Sequence, residues 1–365
     1  MNTILYPQPA LRQPDLNEPC VDMLGRPLTD LRISVIDQCN FRCTYCMPAE
    51  LYPGDYPFLP SSERLSFEQI ETMGRAFVRL GVNKIRITGG EPLLRKNLEQ
   101  LIERLARLTT PDGRAVRIAL TTNGSLLAAK ARSLREAGLE RVTVSLDSLD
   151  NGIFQRMNGV DFPVDKVLHG IEVAQAVGLH PVKVNMVVQK GVNDSQIVPL
   201  ARHFRHTGVT LRLIEFMDVG GIGAWSRTHV VTSEAARALI AAEFPLVSLG
   251  EGKPISHETA SRYSYLDGGG EVGFISSVSQ PFCGDCSRVR VSSDGKLFTC
   301  LFAHDGLDLR PMLDPAQGAH GLETLLRRHW QRRGDRYSEV RGALAQAGGA
   351  QRKQYPTVRM SLVGG

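Results

Sequence analysis

The chain has 365 residues, 42% of them hydrophobic and 22% charged, enough for a large core and for two domains or one with an extension. A net charge of +5 without any Lys/Arg block gives no nucleic-acid tail, and no apolar run reaches membrane-span length. Seven cysteines fall as two triads plus Cys20, an odd count that argues for reduced thiols at metal-type sites in the cytoplasm, against a disulfide framework.

Residues 1–30 are rich in proline and polar residues and lack periodicity, which predicts a flexible leader. Asp15, Glu18 and Asp22, with no apolar stretch, set it apart from a secretory signal, and Cys20 reads as incidental. Residues 31–37 predict a first strand, and Cys39, Cys43 and Cys46 follow it in a C-x3-C-x2-C array. Three thiolates on one short loop can converge on one metal centre, and soft sulfur selects zinc, Cu(I) or iron–sulfur clusters. A structural zinc or a closed [4Fe–4S] cluster wants four protein ligands, and no fourth Cys or His lies nearby. An incomplete set leaves one iron open. The bland alternative is a zinc knuckle completed by a distant residue.

Ser66 and Gln69 stand at capping-box spacing and start a helix that Gly81 stops. Residues 84–88 predict a strand running into Gly89-Gly90-Glu91-Pro92, followed by a helix over 97–108 and a strand over 117–122. After the turn Asn123-Gly124 come a helix to Gly138, a strand over 141–146, a helix from about 165 to Gly178, and a strand over 182–188. A helix over 195–207 and a strand over 210–216 close the series. Six strands alternating with helices predict an α/β fold with a parallel sheet, a partial (β/α)6 TIM-like barrel over 31–225, because a full barrel needs eight units.

Arg86 and Thr88 share one strand face, as do Lys183 with Asn185 and Ser145 with Asp147. Polar residues two apart, in strands covered by helices on the other face, predict a wet, ligand-filled lumen. From 226 to 365 the pattern changes to an α+β extension with a helix near 233–242 and Gly-rich turns at 267–270 and 292–295. A hairpin of 288–291 with 297–299 would bring Cys300 back toward Cys283 and Cys286.

With Tyr45 before its last cysteine, the first array resembles the radical S-adenosylmethionine (SAM) signature. Cys283-Gly-Asp-Cys286-Ser-Arg288-Val-Arg290, with Cys300 after it, resembles the second cluster site of the GTP 3′,8-cyclase family, which opens molybdenum cofactor biosynthesis. The resemblance runs from Leu31 to Gly365 and implies two [4Fe–4S] clusters and SAM as cofactors. It places the SAM cluster on Cys39, Cys43 and Cys46, and the second cluster, carried by the extension, on Cys283, Cys286 and Cys300. It puts Tyr45, Gly90, Ser145 and Met217 at SAM, and Arg32, Arg86, Thr121, Lys183, Arg288, Val289 and Arg290 at GTP, with Arg288 and Arg290 as catalytic residues.

The implied reaction is conversion of GTP to (8S)-3′,8-cyclo-7,8-dihydroguanosine 5′-triphosphate through a 5′-deoxyadenosyl radical. Implied partners are GTP, a flavodoxin-like or ferredoxin-like electron donor, a downstream cyclic pyranopterin monophosphate synthase and a second copy of the chain. The ending Val363-Gly364-Gly365 resembles the family's double glycine that reaches into the barrel. Two departures, Ser287 where some members have Asn and Asp37-Gln38 where some have Asp-Arg, leave the ligands intact. A radical SAM enzyme acting on a peptide would share the first array without predicting Arg288 and Arg290. A non-catalytic zinc or electron-transfer protein would never cleave SAM.

Overall fold

A computed structural model describes residues 19–219, 225–250, 258–313, 319–340 and 359–364. The six expected strands form as β1 (Asp30–Ser34), β2 (Lys84–Thr88), β3 (Arg117–Thr122), β4 (Arg141–Ser145), β5 (Val182–Val188) and β6 (Thr210–Glu215), each paired in parallel with the next. Between them run α1 (Phe67–Arg79), α2 (Leu98–Ala106), α3 (Leu127–Glu136), α4 (Asn151–Asn158), α5 (Val164–Ala176) and α6 (Ile197–Phe204). The Ser66–Gln69 capping box forms as its spacing predicts, each side chain accepting the other residue's backbone N–H.

The extension builds α7 (Ser233–Glu243), β7 (Leu246–Ser248), β8 (Ser261–Tyr265), β9 (Glu271–Ile275), β10 (Arg288–Val291), β11 (Lys296–Phe298), β12 (Leu307–Asp308), α8 (Ala319–Gln331) and α9 (Met360–Val363). It joins the barrel more closely than its composition suggests. Strand β10 pairs in parallel with β1, and β9 pairs in parallel with β6. The two extra strands lengthen the parallel run from six to eight within one twelve-stranded sheet, ordered β12-β11-β10-β1-β2-β3-β4-β5-β6-β9-β8-β7.

Alternation along the strands separates core from lumen. In β5, Val182, Val184, Met186 and Val188 are buried toward the helices, while Lys183, Asn185 and Val187 are half-buried on the other face. The apolar side continues through Ile33, Ile85, Ile118 and Val142 of neighbouring strands into one core with the helices.

Two features differ from expectation. The leader was expected to trail to residue 30, but from Cys20 the chain begins to pack: Cys20, Leu28 and even Arg26 are buried, and Trp330 of α8 donates its indole N–H to the Arg26 carbonyl at 3.1 Å. The rest of that leader, 1–18, lies outside the described residues. The second feature is α4, which sequence periodicity passed over because Asn151-Gly152 resembles a turn. Its C-terminal end seats the first cysteine loop, with the carbonyls of Met157 and Asn158 accepting from Thr44 N at 3.0 Å and Arg42 N at 2.8 Å.

Gly159 ends α4 with φ +69°, and a Cβ there would collide with the Arg42 carbonyl oxygen. Gly159→Ala is expected to destabilise the fold by roughly 1–3 kcal/mol, the range for a strained left-handed residue. Thermal or denaturant unfolding checks this, and a wild-type midpoint would show the loop seat to be slack.

Candidate active site

A single cavity of about 300 Å³ opens on the inner face of the sheet, and all eight parallel strands contribute to its lining. Both cysteine triads face it: Cys39, Cys43 and Cys46 from one side, Cys283, Cys286 and Cys300 from the other.

Several contacts fix the first loop. Arg42 donates from Nη1 to the carbonyls of Cys39 at 2.8 Å and Phe41 at 3.0 Å, and from Nε to Tyr52 O at 2.9 Å. The Gly-Gly pair lies directly under it. Gly90 N donates to Ile36 O at 2.7 Å and Glu91 N to Gln38 O at 2.9 Å, and a Cβ on Gly90 would overlap the Gln38 carbonyl oxygen. Close backbone approach therefore requires glycine at 90 whatever ligand it meets. Glu91 bonds Thr122 Oγ1, Asn123 N and Leu93 N at 2.7–2.9 Å; burial still raises its carboxyl to about 7. The Tyr45 hydroxyl donates to Asp147 Oδ2 at 2.8 Å, and burial raises Asp147 to about 6 against that bond and the Val187 N–H.

Burial pushes the thiol of Cys39 up to about 11 and of Cys46 to about 12, and Cys43 well above its ordinary value, with neighbouring thiols adding to the last two. Three half-buried thiols whose surroundings oppose ionisation suit a cationic centre that binds all three as thiolates. Phe41 N and Asn123 Nδ2 stand 3.4 and 3.8 Å from Cys39 Sγ, as donors to a ligating sulfur would. Among the described residues no three His, Cys, Asp or Glu side chains converge as ligands of one ion. An iron–sulfur cluster, in which each thiolate bonds its own iron, asks for less convergence than a single ion does.

The expected hairpin forms, and the three cysteines of the second triad line the cavity. Strands β10 and β11 pair Arg290 with Phe298, and the same register carried two residues on sets Cys300 opposite Arg288. Arg288 reaches Cys286 Sγ from Nε at 3.3 Å and Nη2 at 3.2 Å. Burial opposes ionisation of Cys286, but Arg288 and Arg333 outweigh it and bring the thiol down to about 6.

Between the triads stand Arg32, Arg86, Arg212, Arg288 and Arg290, and none of the five forms an ion pair among the described residues. Arg86 donates from Nη1 to the hydroxyls of Thr121 at 3.1 Å and Thr143 at 3.2 Å. Burial brings Arg32 down to about 9 and Arg86 to about 10, with Asp30 opposing and neighbouring arginines adding. Burial, Arg32 and Arg288 hold Arg290 well below its ordinary value. Arg32 Nε and Asn185 Oδ1 are buried with no hydrogen-bond partner among the described residues. A cavity that penalises its own cations is built for an anion.

Two family models match the chain: the Radical SAM superfamily over 33–204 and Molybdenum Cofactor Synthesis C over 209–339. A curated GTP 3′,8-cyclase of Xanthomonas axonopodis pv. citri is 53% identical over 350 residues, covering 96% of this chain and 100% of its own. The chain belongs to the GTP 3′,8-cyclase family. Another relative bearing that name, from Acidothermus cellulolyticus, is 49% identical across 89% of this chain and 90% of its own. The crystal structure of Streptococcus suis SuiB bound to S-adenosylmethionine shares the fold, with a TM-score of 0.56 at 15% identity over 82% of this chain and 68% of that one.

Of the residues that the GTP 3′,8-cyclase resemblance singles out, all but two line the cavity. Val289 turns its side chain into the core beside Leu31, so only its backbone follows the inner surface. Lys183 lies on the same face as Asn185, one pair further from the lining. Arg212 was missed by sequence reasoning, although a charge alternating with Leu211 and Leu213 is the same signal that marked Arg86. The tail also arrives: Arg290 Nη1 donates to the Gly364 carbonyl, and Gly364 packs so tightly on Thr88 that no Cβ fits. Gly365 lies outside the described residues.

Burial, Arg212 and Arg86 lower the Lys183 ammonium to about 7, so above that pH it is mostly neutral. A bound triphosphate favours the charged form and raises this value, so GTP binding at pH 8 should take up a fraction of a proton. Titration calorimetry in buffers of different ionisation heat measures that uptake. Lys183→Met should abolish it, and equal uptake in both proteins would place the proton elsewhere.

Proposed function

We propose that the cavity holds GTP between two iron–sulfur clusters and that the chain converts it to (8S)-3′,8-cyclo-7,8-dihydroguanosine 5′-triphosphate, the first step of molybdenum cofactor biosynthesis. The observation that carries this reading is the set of five arginines, Arg290 buried and the other four half-buried, that lie between two cysteine loops with no ion pair among the described residues. Cys39, Cys43 and Cys46 would hold a [4Fe–4S] cluster, which together with SAM would supply the radical chemistry needed to break the ribose 3′ C–H bond.

The chain's own task is placement. Tyr45, Gly90, Ser145 and Met217 lie on the first-triad side of the site and would hold SAM. Cys283, Cys286 and Cys300 would hold the second cluster near the purine. Arg32, Arg86, Thr121, Lys183, Arg288 and Arg290, with the backbone at Val289, would hold GTP, since guanidinium forks match phosphate oxygens in pairs. Arg288 and Arg290 are the catalytic residues of this reading, placed beside the second triad. Met360 and Gly364 cover the cavity wall and would exclude water from it. A flavodoxin-like or ferredoxin-like electron donor, a downstream cyclic pyranopterin monophosphate synthase, a homodimer and a cytoplasmic setting accompany this reading as proposals.

The test is anaerobic incubation of reconstituted protein with SAM, a reductant and GTP deuterated at C3′. The product should be isomeric with GTP yet separable by chromatography, and the deuterium should appear in 5′-deoxyadenosine. Unlabelled 5′-deoxyadenosine, or equal turnover of ATP, would overturn the assignment.

A further inference from the structure

We propose that Asp22, Arg26 and Arg333 form a buried clamp that fixes the second cysteine loop in the conformation that accepts a cluster, a role that rests on the two-cluster reading above. The three side chains are 6%, 2% and 5% exposed, a depth at which a charged group needs a specific partner. Asp22 is the hub. Its Oδ1 accepts from Leu24 N and Arg26 N, both at 2.9 Å, while Oδ2 accepts from Arg26 Nε at 2.5 Å and lies 3.6 Å from Arg333 Nη1.

From this hub the two arginines reach the loop. Arg26 Nη1 donates to Cys283 O at 2.8 Å and to Asp335 O at 2.9 Å. Arg333 Nη1 donates to Cys286 O at 2.6 Å, and its Nε bonds Asp335 Oδ2 at 3.2 Å. That same carboxylate oxygen accepts from Thr299 Oγ1 at 2.7 Å, one residue before Cys300. The backbone N–H groups of Thr29 and Asp30 hold Ser287 O at 3.3 and 3.2 Å.

The network thus grips the backbone of the two loop cysteines and the residue preceding the third. Carbonyls held from behind leave the thiols facing the cavity, where all three are found. Two features favour a positioning role over general cohesion. The partners come from opposite ends of the chain, residues 22–30 and 333–335, and meet at this loop. Each arginine also divides its donors between a carboxylate and a loop carbonyl, a task for a planar fork that a lysine ammonium cannot copy.

The test uses full-length Arg26→Lys and Arg333→Lys, which keep the charge and lose the fork, with Cys283→Ser marking the second cluster's signal. Proteins are reconstituted anaerobically, then assayed for iron, for electron paramagnetic resonance after reduction, and for 5′-deoxyadenosine formed from SAM without GTP. Wild type should carry about eight irons and each Lys variant about four, the count of one [4Fe–4S] cluster. The variants should lack the signal missing from Cys283→Ser, and their SAM cleavage should stay within about twofold of that reference. Full iron with both signals would overturn the clamp. Loss of both clusters together with the circular-dichroism signal would overturn it too, assigning the network to folding. Only about four irons in wild type would instead remove the two-cluster reading itself.

Discussion

Five arginine side chains stand on the inner face of one sheet with no ion pair among the described residues, and that imbalance governs the molecule. Burying a guanidinium without a counter-ion is costly, and like charges nearby raise the cost further. The cost appears as depressed ionisation in Arg32, Arg86, Arg212 and Arg290. Of the carboxylates nearby, Glu215 accepts from Ser233 N, Val278 N and Ser279 N, Asp335 pairs with Arg333, and Asp30, which partly offsets the lowering of Arg32 and Arg86, pairs with Lys84. The site therefore keeps cationic capacity for an incoming anion, as preorganised recognition demands.

The sheet makes this arrangement possible. Alternation places each arginine two residues from the next inward side chain, while the intervening Leu, Ile and Val lock the strands to the helices. Arg32 and Arg86 are register partners on β1 and β2, and Arg32 and Arg290 are register partners on β1 and β10. Three cations thus lie side by side across three strands. The cysteine loops flank them because one follows the C-terminal end of β1 and the other precedes β10, the strand beside it.

Much of this was legible in the sequence. Strands β3 and β5 run over the residues that apolar runs and turn signals marked, and the spacing by two that singled out Arg86 with Thr88 found two residues that do line the cavity. What escaped depended on distant partners. That β9 and β10 would extend the parallel run is a matter of long-range register, which no local pattern encodes. Helix α4 begins with Asn-Gly and stands because the cysteine loop hydrogen-bonds its last carbonyls. Asp22 and Arg26, in a Pro- and Gly-rich stretch, resemble solvated charges until α8 and Asp335 close over them.

The most direct test of the cation-lined site is calorimetric titration of the reconstituted protein with guanosine, GMP, GDP and GTP at one salt concentration. Charged hydrogen bonds to phosphate contribute about 1.5–3 kcal/mol each, so affinity should climb along the series by at least about a hundredfold overall. Added salt should weaken GTP far more than guanosine. Equal affinities for guanosine and GTP would contradict an anion site built from these arginines.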